Sequence, residues 1–167
     1  KLENIKIKKI NIDQLPIKSI NNKKLEIVNT KRIDTDPAYI LFTSGSTGIP
    51  KGTVINHRSL INYTKWFGTT FNIDDKTIFG NQTPFYFSMA VSDVYSTIMF
   101  EATLNIIPKI NFSFPMNLMK YLDSYKINTI YWVPSALSIV ANSKVFDYIV
   151  PKYLKKVLFA GEVMPMP

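Results

Sequence analysis

The 167-residue sequence contains no cysteine and a single histidine, His57. The missing cysteines exclude a disulfide framework. With one histidine no Ser-His-Asp order can be built, and no His/Cys/Asp cluster has metal-ligand spacing, so no metal site is expected. His57, within "INHRSL", reads as a residue at a strand end or helix start. Long apolar runs are also absent. The longest, around Tyr95 to Pro108, is broken by Glu101 and Asn105 and falls short of the ~18 residues of a membrane span. The beginning of the sequence carries no signal-peptide apolar region. These absences lead to the expectation of a cytoplasmic protein that does not engage a membrane.

Acidic residues are scarce, 12 against 20 basic ones, giving a net charge of +8. The excess is local. Residues 1–32 carry nine Lys/Arg and three Asp/Glu, which leaves only +2 for the remaining 135 residues. No aromatic side chain interleaves the early lysines, so they form no base-stacking platform and read as a solvated face. A nucleic-acid partner is not expected. Hydrophobic residues at 46% and charged ones at 19% are the proportions of a chain with a core to bury.

Residues 1–35 read as a lead-in of one or two short strands or loosely packed chain, closed by a turn at "DTDPAY". From residue 36 the pattern sharpens. The continuous apolar run "AYILF" (38–42) predicts a strand buried on both faces, and "GTVINH" (52–57) a second strand. Leu60, Tyr63, Trp66 and Phe67 stand at helical spacing behind a candidate N-cap, Ser59. A strand at 76–85 precedes a helix over 88–102, whose stripe is Ala90, Val94 and Ile98 flanked by Val91 and Tyr95. Then follow a strand ended by Pro108, a helix from Pro115 with Leu118, Leu122 and Tyr125 on one face, strand "INTIYWVP", a helix from "SALSIVANS", and strand "LKKVLFAGE". Strands alternating with helices predict an α/β fold, a largely parallel sheet with helices on both faces. No closing helix follows "GEVMPMP", as expected of a truncated subdomain, 36–167.

Between the first two strands lies "TSGSTGIPKG". Glycines let backbone N–H groups turn onto an anion; Thr43, Ser44, Ser46 and Thr47 add hydroxyls and Lys51 a point charge. This is a phosphate-cradling composition. It lacks the Walker A register, and Gly45 and Gly48 leave the dinucleotide glycine pattern incomplete.

The full stretch "YILFTSGSTGIPKG" resembles the phosphate-loop signature of the adenylate-forming superfamily: acyl-CoA synthetases, nonribosomal peptide synthetase adenylation domains and luciferases. "NQTPFYFSMAVSDVYSTI" is similar to the aromatic-rich segment that begins the acyl pocket, "VPSALS" to a segment at the nucleotide cleft, and "VLFAGEVMP" to the strand end beside the adenine. Within that superfamily the chain resembles stand-alone amino-acid adenylation enzymes of the D-alanine–D-alanyl carrier protein ligase kind. The resemblance implies part of the large N-terminal domain of such an enzyme, lacking the C-terminal lid domain with its catalytic lysine, and therefore inactive alone. It implies Mg2+ and ATP, a small carboxylic or amino acid as substrate, and a carrier-protein phosphopantetheine or CoA thiol as acceptor. A carboxylate attacks the α-phosphate, pyrophosphate leaves, and the acyl group passes to the thiol. A non-catalytic nucleotide-binding module of the same fold is the alternative.

By the same resemblance Thr43, Ser44, Gly45, Ser46, Thr47, Gly48 and Lys51 hold the ATP phosphates. Gly161 and Glu162 lie at the adenine, and Ser88, Met89, Ser92 and Ala160 line the acyl pocket. One departure stands out: amino-acid-activating relatives carry Asp after the aromatic pair, where this sequence reads "FYFS" with Ser88. The swap removes a charge-assisted bond to a substrate ammonium, generally worth roughly 1.5–3 kcal/mol. Either the acid has no α-ammonium, or another acid such as Asp93 takes it. Five residues along a helix is about 140° in phase, so Asp93 is expected to face elsewhere. Tyr131 and Trp132 read as core aromatics, with a place bordering the nucleotide as the alternative for one of them.

Overall fold

The computed structural model describes residues 22–43 and 48–165. Its contacts divide the chain into two units, Lys1–Ile33 and Asp34–Pro167. In the first, Asn22–Thr30 forms helix α1, where the reading of the lead-in allowed strands. The weak apolar alternation there does not outlast "NKKLEIVNT", in which Lys, Leu and Glu are good helix formers.

The second unit opens with an antiparallel ribbon of β1 (Pro37–Thr43) and β2 (Lys51–Asn56), with Ile40 opposite Val54 and Thr43 opposite Lys51. This corrects the expectation that "AYILF" is a strand buried on both faces: Ile40 and Phe42 are 52% and 73% exposed. An apolar run announces a strand but not its partner, and here the chain turns back after seven intervening residues and pairs with itself. β2 runs straight into helix α2 (His57–Phe71). The cap is Asn56, not Ser59: its side-chain oxygen accepts the Ser59 backbone N–H at 2.8 Å. Arg58 forms a two-pronged pair with Asp34 at 2.7 and 2.8 Å, tying the chain before β1 to the first turn of α2.

Then come β3 (Ile78–Asn81), α3 (Ala90–Met99), β4 (Thr103–Ile106), α4 (Pro115–Ser124), β5 (Thr129–Trp132), α5 (Pro134–Asn142) and β6 (Lys156–Phe159). The four strands β3 to β6 form a parallel sheet in the order β4-β3-β5-β6. Side chains alternate across it as strand geometry requires. Ile130 and Trp132 enter a core with Leu118, Met119 and Leu122 of α4 and Ala136 and Val140 of α5. Tyr131 between them packs with Phe79 and with Phe67 of α2 on the opposite face. Helices therefore cover both faces, as expected of a parallel sheet.

The strand order reverses between β3 and β5, whose recorded backbone register is a single pair, Phe79 opposite Thr129. Side chains bridge the strands on either side of it. Asn128 accepts the Ile78 N–H at 2.9 Å and donates to the Lys76 carbonyl at 2.8 Å. Beyond the pair, the buried Trp132 indole N–H donates to the Gly80 carbonyl at 2.7 Å. In open parallel sheets, a crevice forms outside the carboxyl ends of strands at such a reversal.

Two expected stripes are buried differently. Tyr125 is half exposed while Leu118 and Leu122 are buried. In α3 the buried positions are Ala90, Ser92, Asp93 and Ser96, whereas Ile98 is 71% exposed. The buried side of α3 is polar: the Ser92 hydroxyl and one Asp93 oxygen have polar partners on neighbouring elements, whereas the Ser96 hydroxyl has none.

Candidate functional site

Three adjoining cavities run from the β1–β2 ribbon to the carboxyl ends of the parallel strands. The first, about 430 Å³, is lined by Tyr39 and Ile55 of the ribbon, Leu60 and Tyr63 of α2, Ser88, Met89, Tyr131, Ala160 and Gly161 among others. The second, about 460 Å³, lies along the ribbon with Leu41, Thr43, Thr53 and Phe87. The third, about 360 Å³, sits at the reversal of strand order between Gln82 and Thr83 after β3, Val133 after β5, and Gly161 and Glu162 after β6. Ser88 lines all three.

The fold explains why these residues meet. Residues 82–89 join β3 to α3 and cross the carboxyl edge of the sheet, so one segment delivers Ser88 and Met89. β6 ends at Phe159, and the chain turns at Gly161 with φ +92°, a left-handed conformation that suits glycine. A Cβ there would stand 4.0 Å from the Met89 sulfur and 3.7 Å from Val133 Cγ1. The Glu162 carboxylate accepts the Ser135 backbone N–H at 2.9 Å and the Ser135 hydroxyl at 3.1 Å. It thus satisfies an otherwise orphaned donor in the first turn of α5, where negative charge is favourable.

Of the residues expected to hold phosphates, Ser44, Gly45, Ser46 and Thr47 lie outside the described residues. Thr43 lines the second cavity. Lys51 stands opposite it across the ribbon, the Thr43 hydroxyl reaching the Lys51 carbonyl at 3.5 Å. Gly48 has φ +78°, as a turn glycine does. Neither Gly48 nor Lys51 lines these cavities. Ser88, Met89 and Ala160 share the first cavity with Gly161, and Glu162 lines the third.

Ser92 requires a correction, since it does not line the cavities. It is buried, with its hydroxyl 2.7 Å from the Tyr63 hydroxyl. α3 starts only at Ala90, so Ser88 and Ser92 do not share a helical phase, and Ser92 faces α2. Asp93 is also outside the linings; it is 1% exposed and accepts the Asn81 side-chain N–H at 3.0 Å.

The first cavity is rich in hydroxyls and holds no ionised side chain: Ser59, Ser88 and the tyrosines 39, 63 and 131 supply its polarity. Burial pushes the Tyr131 phenol up to about 12, with Tyr63 and Asp93 adding to the shift. Burial likewise raises Tyr39, helped by Tyr95 and Tyr63. Both remain protonated donors at neutral pH. The sequence marks Tyr131 as a core aromatic with a place beside the nucleotide as the alternative, because alternation between Ile130 and Trp132 marks a face but not a cavity. The ribbon residues Tyr39 and Ile55 were hidden by reading β1 as a sheet-core strand.

Comparison with known proteins now decides the family. The family model described as AMP-binding enzyme matches residues 4–167. This chain belongs to the AMP-binding enzyme family. A curated relative, the D-alanine–D-alanyl carrier protein ligase of Bacillus cytotoxicus, is 31% identical over 167 residues, covering 93% of this chain and 33% of its own length. The Bacillus mycoides ligase of the same name is 35% identical over 127 residues, covering 76% of this chain and 25% of its own. The family member described here thus spans about a third or less of these relatives. Among solved structures, CmiS6 aligns with TM-score 0.69 at 27% identity, over 79% of this chain and 31% of that one. The four-domain nonribosomal peptide synthetase AB3403, crystallised with AMP and glycine, aligns with TM-score 0.75 at 22% identity, over 96% of this chain and 11% of its own. The latter is a likeness of fold.

Proposed function

We propose that this chain is the phosphate- and acid-binding part of an ATP-dependent ligase. The ligase joins a carboxylate to the α-phosphate of ATP, releases pyrophosphate, and passes the acyl group to a carrier-protein or CoA thiol. The observation that carries the reading is the meeting of separate motif segments. Thr43 at the glycine loop, Ser88 and Met89 after β3, and Gly161 and Glu162 after β6 line cavities that share Ser88 at the reversal of strand order.

In this reading Thr43, the glycine-rich turn through Gly48, and Lys51 oppose the β- and γ-phosphates. Displacement at phosphorus is governed chiefly by positioning and charge neutralisation, and hydroxyls, backbone N–H groups and a lysine supply both. Among the described residues no three His, Cys, Asp or Glu side chains form a metal cage. Mg2+ commonly binds as a companion of phosphates; held there beside Thr43 and Lys51 it would supply charge neutralisation on the phosphate oxygens. The first cavity receives the acid's side chain between Tyr39, Tyr63 and Met89, and the Gly161 turn leaves room at its end.

We take the acid to lack an α-ammonium. An ammonium in the first cavity would meet hydroxyls and ring faces but no carboxylate. A cation over a ring gains about 0.5–2 kcal/mol, less on average than the roughly 1.5–3 kcal/mol of a charge-assisted bond. The named curated relatives are D-alanine–D-alanyl carrier protein ligases, so the difference at Ser88 is testable. ATP–pyrophosphate exchange should be measured on the whole polypeptide containing this chain, with D-alanine against propionate and phenylalanine against 3-phenylpropionate. Exchange with the deaminated acids is expected. Exchange with amino acids alone would refute the substrate reading, and silence throughout would favour a nucleotide-binding module without turnover.

A further inference from the structure

Residues 82–89 carry Ser88 and Met89 to the cavities, yet their second end has no ordinary stop: the N-cap position of α3, Met89, makes no side-chain capping bond. The two ends are joined elsewhere. Asn81 is the last residue of β3, and its carbonyl is held by the Ile107 N–H at 2.9 Å. Its side-chain amide donates at 3.0 Å to Asp93 in the first turn of α3. Both residues are buried, 2% and 1% exposed. The adjacent Ser92 hydroxyl contacts Tyr63 at 2.7 Å, so α3 is fastened to β3 and α2 by consecutive residues.

We propose that the Asn81–Asp93 pair is a clamp that closes the 82–89 segment on itself and thereby positions Ser88 and Met89 for the acid substrate. The proposal rests on the ligase reading for its functional consequence but not for the clamp itself. Asp93 Oδ1 and the Ser96 hydroxyl, one turn along the same helix, are both buried without a partner. A bare charge on Asp93 would have the Asn81 side-chain amide as its hydrogen-bond donor, and a proton on the carboxyl removes that charge from a buried site. Burial accordingly raises the Asp93 carboxyl to about 7, against the lowering by Asn81. The titratable groups nearby are Tyr131 of β5 and, beyond it, Tyr63 of α2. β4 presents Thr103–Ile106, none of them ionisable. No cation enters the balance at Asp93.

Hydrogen-exchange protection factors for residues 82–89, corrected for intrinsic exchange, test the clamp in this chain. If opening hydrates Asp93, protection in the wild type falls about tenfold between pH 6 and pH 8. D93N keeps an acceptor for Asn81 and cannot ionise in either state, so its protection is flat with pH and lies at or above the wild-type value at pH 6, where ionisation of the opened wild type already favours opening. D93A loses protection at both pH values. Wild-type protection that is flat with pH, a D93N profile that falls like the wild type, or full protection in D93A would overturn the proposal. In the whole polypeptide, the KM of whichever probe acid supports exchange should rise about tenfold or more in D93A and recover in D93N, with the KM for ATP unchanged. Should no probe acid support exchange, the ligase reading fails while the protection factors still decide the clamp.

Discussion

Ser88 differs by one side chain from a carboxylate that would give an ammonium its partner, and it lines every cavity of the candidate site. Installing S88D in the whole polypeptide should shift the exchange preference toward amino acids over their deaminated analogues by roughly 10- to 150-fold, the ratio equivalent of a charge-assisted bond. An unchanged ratio would place the ammonium, if any, elsewhere. Asp93 carries the second prediction at this scale. Its carboxyl is raised in the folded chain from the ordinary value of 3.8 to about 7, so between these values the unfolded state binds fewer protons. Stability is therefore greatest below about pH 4 and declines until the folded group ionises near pH 7. D93N should remove that slope in chemical denaturation from pH 4 to 8, and a slope that persists would locate it in another group. The sequence announced Ser88 as a departure because the motif around it is long. It also indicated that Asp93 faces away from Ser88, but not toward what, since the partner Asn81 is twelve residues distant and belongs to another element.

Local chemistry made the elements easiest to read where turn residues bracket a periodic run. α2 is the best case, with a left-handed Asn72 at its end, although its cap is one element boundary earlier than Ser59. N56A should cost about 0.5–2 kcal/mol in denaturant unfolding, and S59A far less. Gly68 sits in the middle of α2, where propensity alone favours alanine. A Cβ there would overlap the Phe100 ring. G68A should therefore destabilise by about 1–3 kcal/mol through overpacking, reversing the propensity effect; a stabilised variant would show that the ring swings aside freely. α3 was legible as a helix and misleading as a stripe. Ile98 is exposed, while Ser92, Asp93 and Ser96 face inward; hydrogen bonds to Tyr63 and Asn81 offset the cost of burying Ser92 and Asp93.

For the whole molecule, the parallel order β4-β3-β5-β6 places the crevice where β3 and β5 diverge, and Trp132 holds that divergence through Gly80. W132F should leave a buried carbonyl unpaired at a cost of about 1–3 kcal/mol, with loss of order at both strand ends by hydrogen exchange. Because the chain spans about a third or less of the curated relatives it matches, the 167 residues alone are expected to give no ATP–pyrophosphate exchange; turnover by them would refute the division of labour proposed here.

What the order of residues determined by itself was the α/β alternation, the glycine loop and the family signature, because each is written in contiguous residues whose backbone demands are local. Tertiary structure alone decided the rest. It paired β1 with β2 rather than with the sheet, turned Ser92 and Asp93 inward, and gathered Tyr39, Tyr63, Ser88, Tyr131 and Gly161 around one cavity. These outcomes depend on which distant segments lie side by side, and a one-dimensional pattern specifies faces and periods but not the partner that each face meets.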